Sequence, residues 1–264
     1  MTTPLVDLER YPLDDLDGAR SLTVVAEGRR ALSDRGFAAL PGFLHPDGVT
    51  ALVTEAETLA LLAHRSRVVG TAYLAPPDDS FPSGHPRRSL WPTSLAVVAY
   101  DQFPSGSGLR SLYEWDPLRE LIRRLVDEPV LHRYADPLGA LNLAVMTDGD
   151  ELGWHFDQTD FVVSIALQSS ERGGHFECAE LIRTAHDEQY ERVAAVMDGD
   201  PEGRVRVVAM EPGTLLLFAG RRSLHRVSTV EGDRARHVAL LGYDTASGTR
   251  SSESLQRVRY GRVA

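Results

Sequence analysis

From about residue 139 to residue 243 the chain repeats one pattern, a short apolar run followed by a break of Gly, Pro, Asp or Ser. The runs fall at 140–146, 161–168, 175–177, 205–208, 214–218 and 236–243. The breaks include Thr147-Asp148-Gly149-Asp150, Gly173-Gly174 and Glu211-Pro212-Gly213. Short strands joined by tight turns, with no regular strand–helix–strand alternation, exclude a parallel doubly wound sheet and point to a sandwich or jelly roll. One helical segment interrupts the pattern. After Thr184, Tyr190, Val193, Ala194 and Met197 recur at helical spacing until Gly199, which reads as an insertion between strands.

At 264 residues and 42% apolar content the chain can bury a substantial core, and one domain with added helices is expected. Its parts are N-terminal helices and a substrate-side loop (1–135), a jelly-roll core (136–245) with its helical insertion at 184–198, and a C-terminal extension (246–264). The net charge of -10 is spread along the chain rather than gathered in a tail. This argues against nucleic acid or an anionic membrane as partner and favours a small molecule. Nothing in the sequence indicates an oligomeric state. Cys178 is the only cysteine, so no intrachain disulfide can form, and a reducing cytoplasm fits. Residues 1–20 hold four Asp and one Glu without a long apolar run, unlike a signal peptide or membrane span, so a soluble protein is expected.

Ahead of the β region, 13–35 reads as a weakly amphipathic helix broken by Gly18 and Gly28, followed by a strand at 36–40. Asp47 is placed to cap a helix over 49–63. Periodicity fades over 66–113, where six prolines are scattered, and a long loop of this kind commonly serves as a lid or binding segment. Asp116-Pro117 opens a helix with Leu118, Leu121, Ile122 and Leu125 on one face.

Chemistry enters at Trp154-His155-Phe156-Asp157. A His-x-Asp set at a strand end puts an imidazole and a carboxylate on one side of the pleat, two-thirds of a facial metal site. His45-Pro46-Asp47 has the same spacing, but its proline and capping aspartate assign it to a helix start. Among nine histidines, His225 is the candidate third ligand, since it follows the apolar run 214–218 and a Gly-Arg-Arg turn. His175 is the rival. Trp154 reads as a core side chain beside a ligand. Arg234 and Arg236, at +9 and +11 from His225, project to one face if extended, and a buried arginine needs an anion. Arg87 and Arg88, a paired cation in an acidic chain, form a candidate carboxylate clamp or simply a solvated pair.

These motifs, with Gly173-Gly174-His175-Phe176-Glu177 and Gly220-Arg221-Arg222-Ser223-Leu224-His225-Arg226-Val227, resemble the iron(II)- and 2-oxoglutarate-dependent oxygenases. Within that superfamily the likeness is to the group of free-amino-acid radical halogenases and their hydroxylase relatives, over roughly residues 85–245. The resemblance implies a double-stranded β-helix (jelly-roll, cupin-like) fold, mainly β with flanking helices. It also implies Fe(II) on His155, Asp157 and His225, with 2-oxoglutarate and O2 as cosubstrates. The far carboxylate of 2-oxoglutarate would lie on Arg236 by preference or Arg234, in a cavity that Asn142 also lines. A free amino acid would be the substrate, its carboxylate on Arg87 or Arg88 and its polar groups near Gln158 or Asp160. In the halogenases a small residue replaces the motif carboxylate and leaves room for chloride. Here Asp157 is present, so hydroxylation is the expected reaction. Two other readings remain open on the residues alone. One is a jelly-roll enzyme using zinc or manganese for isomerisation or hydrolysis, and the other a non-catalytic β-sandwich that binds through 66–113.

Overall fold

A computed structural model describes residues 5–200 and 202–264. Residues 1–4, the start of the segment read above for a signal peptide, lie outside the described residues. Eleven strands form one antiparallel sheet that curls on itself. They are β1 (Phe37–Leu40), β2 (His64–Thr71), β3 (Leu90–Val98), β4 (Leu141–Met146), β5 (Leu152–His155), β6 (Val162–Gln168), β7 (Phe176–Ala179), β8 (Val205–Val208), β9 (Leu215–Phe218), β10 (Leu224–Val227) and β11 (Arg236–Leu241). The order is β1-β9-β6-β11-β4-β3-β5-β10-β7-β8, with β2 pairing β3. The six-strand half β1 to β3 and the four-strand half β5 to β8 meet through a single pair, Thr93 with Leu152. There the sheet folds over. The two halves face each other, as the packing of Phe176 on Phe218 (5.0 Å between ring centres) and of Met146 with Val227 shows. This is the jelly roll expected.

The outer face of the larger half carries Leu141, Leu143, Val145, Val163, Ile165, Leu215, Leu217 and Ala239, buried under four helices. These are α1 (Ala19–Arg35), α2 (Pro46–Ala60), α3 (Gly108–Glu114) and α4 (Asp116–Leu125). The stripe Leu118, Leu121, Ile122 and Leu125 is buried, as its spacing predicts. Of two further helices, α5 (Tyr190–Met197) packs Val193 and Val196 against Trp154 and Phe156, and α6 (Glu253–Tyr260) packs Tyr260 against Val97, Ala99 and Leu138. No described helix is long and apolar enough to cross a membrane.

Four local expectations are corrected. Helix α1 begins at Ala19, and Gly28 packs within it, because a Cβ there would lie 2.3 Å from a Leu125 methyl carbon. The cap of α2 is His45, whose Nδ1 accepts the Asp47 N–H (3.3 Å), while Pro46 occupies the first turn, where no N–H is needed. The stretch 66–113 is not one long loop. Eight residue pairs join β2 to β3, and Pro92 is tolerated because β2 and β3 form the rim of the sheet there. Helix α5 starts at Tyr190, and the Thr184 hydroxyl instead accepts the N–H groups of His186 and Asp187 in a preceding turn.

Candidate functional site

β5 and β10 pair with His155 directly opposite His225, so both imidazoles leave the sheet on the inner face, ring centres 4.1 Å apart. Each ring places its Nδ1 on a backbone carbonyl two residues earlier, His155 on Gly153 (2.8 Å) and His225 on Ser223 (3.0 Å). A carbonyl only accepts, so Nδ1 carries the proton and Nε2 presents its lone pair. Asp157, just past the end of β5, turns its carboxylate to both Nε2 atoms, 3.8 Å from His155 and 3.4 Å from His225. One ligand atom from each of the three lies within 4.8 Å of the others. Burial, aided by the neighbouring His225, lowers the His155 pKa from 6.5 to about 4, so this imidazole is neutral near neutral pH. Neutral imidazoles and a carboxylate are the donor set of a transition-metal face.

Gly220 makes the Asp157 conformation possible. Its carbonyl accepts the Asp157 N–H (3.1 Å), and a Cβ at 220 would lie 1.7 Å from Asp157 Oδ2. Only a residue without a side chain leaves the carboxylate its place. Phe156, between the ligands, points outward into an apolar cluster with Trp154, Ile182, Val193 and Val196. Trp154 therefore packs on the outside, under the Arg226 guanidinium (4.7 Å).

Arg236 faces the same interior. It is opposite Met146 on β4, is 8% exposed, and its closest polar contact is the Met146 sulfur at 3.9 Å. Burial lowers its pKa to about 10. Gly174 accommodates it, since a Cβ there would come within 3.1 Å of the arginine Cδ. Arg234 is held elsewhere, donating to the carbonyls of Ser169 (2.8 Å) and Ser170 (3.1 Å). Asn142 is on the inner face of β4, but its amide is engaged. It donates to the Leu138 carbonyl (2.8 Å) and accepts the Tyr260 hydroxyl (2.9 Å).

The remaining sequence candidates have polar partners of their own. Arg87 donates to the Tyr190 hydroxyl (2.6 Å), stacks on Tyr73 (4.3 Å) and approaches Glu188 (3.4 Å), so it ties the β2–β3 loop to the helical insertion. Arg88 is held inside its own loop by Asp79 (3.1 Å) and the Phe81 carbonyl (3.1 Å). Asp160 pairs with Arg221 (2.6 Å), and the Gln158 carbonyl accepts from the same guanidinium, beside a shallow cleft of about 100 Å³. His175 is exposed, and its ring is not part of the triad. Sequence reasoning missed Gly220, Ser164 and Tyr260. Ser164 is the buried polar residue of an apolar strand and shares the inner face with Leu240 and Leu216, a phase visible in the sequence. Tyr260 offers no local signal.

The profile of the HalD family, halogenase D, matches residues 21–258. The chain belongs to the halogenase D family. No curated protein sequence matches it. Solved structures share the fold at low identity. An oxidoreductase of the 2OG-Fe(II) oxygenase family from Burkholderia pseudomallei is 15% identical, covering 85% of this chain and 92% of its own, with a TM-score of 0.52. A prolyl-4-hydroxylase from Pseudomonas putida is 14% identical, covering 82% and 97%, with a TM-score of 0.52. HygX from Streptomyces hygroscopicus, solved with nickel, 2-oxoglutarate and hygromycin B bound, is 18% identical, covering 82% and 86%, with a TM-score of 0.54. This halogenase D family member thus has the fold of the 2-oxoglutarate-dependent oxygenases.

Proposed function

We propose that this protein is an Fe(II)- and 2-oxoglutarate-dependent oxygenase that hydroxylates an unactivated C–H of a free amino acid. His155, Asp157 and His225 would hold the iron, and Arg236 the distal carboxylate of 2-oxoglutarate. The observation that carries the reading is the conjunction of a facial His–Asp–His set with an arginine buried in the same interior and lacking a counter-ion among the described residues. A desolvated cation without a partner is costly unless an anion completes it, and a dicarboxylate chelating the metal at one end has a carboxylate left for that purpose. HygX, which shares the fold, was solved with nickel and 2-oxoglutarate bound.

When bound, iron and 2-oxoglutarate supply activation of O2, with succinate and CO2 released and the substrate C–H oxidised. The chain's own residues orient and exclude water. The Gly153 and Ser223 carbonyls fix the two imidazole rings. Phe176 and Phe218 pack against the His225 ring (5.6 and 4.7 Å) and keep solvent from its rear. Asp157 would be a carboxylate ligand where the halogenases resembled by this sequence have a small residue, which favours hydroxylation. Anaerobic addition of Fe(II) and 2-oxoglutarate is expected to give a visible charge-transfer absorption. A mass screen of free amino acids for a gain of one oxygen then identifies the substrate. Succinate formation is expected to fall to background in His155→Ala and in Arg236→Ala, and full activity after either change refutes that residue's role.

A further inference from the structure

The three candidate ligands are not held equally. His155 and His225 belong to strands, face each other across the ladder, and have their rings fixed by carbonyls. Asp157 lies beyond the end of β5, where its N–H meets the Gly220 carbonyl (3.1 Å) in the turn before β10. The place of its carboxylate therefore depends on how the segment 156–157 sits against the segment 220–221.

Arg183 joins those two segments. Its guanidinium lies 3.9 Å over the ring of Phe156, the residue between His155 and Asp157. Its Nε donates to the Arg221 carbonyl (2.7 Å), next to Gly220, and its backbone N–H donates to the Arg222 carbonyl (3.2 Å). Two residues earlier, the Leu181 N–H donates to the hydroxyl of Ser223 (3.0 Å), whose carbonyl holds the His225 ring. The chain from 181 to 183 is thus laced along the whole turn 221–223.

The Arg183 side chain is only 15% exposed, and its outer edge pairs with Glu188 (2.8 Å) at the base of the helical insertion. Glu188 also meets Arg87 (3.4 Å), which stacks on Tyr73 (4.3 Å), and Tyr73 packs on Phe156 (5.4 Å). The Phe156 N–H donates to the Ala72 carbonyl (2.8 Å). The insertion and the β2–β3 loop therefore converge on the back of Phe156, with Arg183 between them. A planar guanidinium suits this place. It offers its face to a ring while its edge addresses a carbonyl on one side and a carboxylate on the other, and a lysine ammonium cannot do all three at once.

We propose that Arg183 is a positioning residue for the metal site, clamping Phe156 to the Gly220–Arg221 turn and so setting where Asp157 presents its carboxylate. The inference rests on the oxygenase reading, in which Asp157 would ligate the iron. Groups that orient a ligand tune metal affinity without touching the metal.

The test is an anaerobic Fe(II) titration of the metal-free protein by calorimetry, with unfolding by denaturant measured alongside. Arg183→Met, which keeps an apolar stem over Phe156 and removes every side-chain donor, is expected to weaken Fe(II) binding about tenfold or more, and Arg183→Lys to recover part of the loss. Gly220→Ala disturbs the same carboxylate directly. Combined with Arg183→Met, it is expected to weaken binding by less than the product of the two separate factors, because both changes act on one ligand. A merely structural role would resemble Leu143→Ala on the outer face of β4, with stability lowered and the Fe(II) affinity of the folded protein unchanged. Should Arg183→Met not fold, Arg183→Lys, which keeps the charge between Phe156 and Glu188, carries the same comparison. Fe(II) affinity equal to that of the wild type in the folded Arg183 variant, or losses that multiply independently with Gly220→Ala, overturns the proposal and leaves the oxygenase reading standing. A wild type that binds no Fe(II) overturns the oxygenase reading, and the proposal with it.

Discussion

The two faces of the larger half-sheet follow different rules. Outward, Leu141, Leu143, Ile165, Leu217 and Ala239 are fully buried against helices and carry no polar atom in their side chains. Inward, the same strands present Asn142, Ser164 and Arg236, all buried. The outer face stabilises the fold at roughly 25 cal/mol per Å² of apolar surface removed from water. The inner face gives up part of that gain to keep polar groups poised in a dry interior. Because alternate residues of a strand serve opposite faces, one strand does both jobs.

Substitutions should separate the faces. Leu143→Ala is expected to cost about 2–5 kcal/mol of unfolding free energy, read by chemical denaturation, while metal binding by the folded fraction is retained. Gly220→Ala should do the reverse. With the Asp157 carboxylate displaced, Fe(II) affinity is expected to fall about 10- to 100-fold in a titration, with a smaller change in stability. Arg236→Met, replacing a buried unpaired cation by an apolar chain of similar length, should leave the ligand-free protein as stable or about 1 kcal/mol more stable while abolishing 2-oxoglutarate binding.

A pH series on the metal-free protein sharpens the contrast. The His155 pKa is about 4 in the folded state against 6.5 unfolded, so the unfolded chain takes up the proton first as pH falls. The stability contribution is complete above about 6.5 and is lost progressively toward about 4, a slope that His155→Gln should remove. Arg234→Ala, which frees only surface contacts to two carbonyls, is expected to change stability by about 0.5 kcal/mol or less and to leave 2-oxoglutarate binding intact. Loss of binding there would reassign the anchoring arginine.

Much of this architecture was legible in advance, for identifiable reasons. The core strands announced themselves because short apolar runs between Gly and Pro breaks have few other uses. His155 and Asp157 could be paired from spacing alone, because strand geometry sends i and i+2 to one face. The hairpin of β2 and β3 was hidden because its exposed rim carries a polar and proline-bearing sequence, with Val69 and Leu90 open to solvent. Arg87 and Arg88 could not be told apart for a related reason. Two adjacent arginines look alike in sequence, and only packing shows one locked among Tyr73, Tyr190 and Glu188 and the other in its own loop.

By itself the sequence determined a sandwich or jelly-roll class, the His155–Asp157 pair at a strand end, and a choice between Arg234 and Arg236 for an anion. Those follow from periodicity and short-range spacing, which are properties of neighbouring residues. The tertiary structure decided that His225 stands opposite His155, that Arg236 is the buried arginine, that Gly220 makes room for Asp157, and that α6 brings the Tyr260 hydroxyl to Asn142. Each of these depends on residues far apart in the chain meeting as the sheet curls, and no local pattern encodes that meeting.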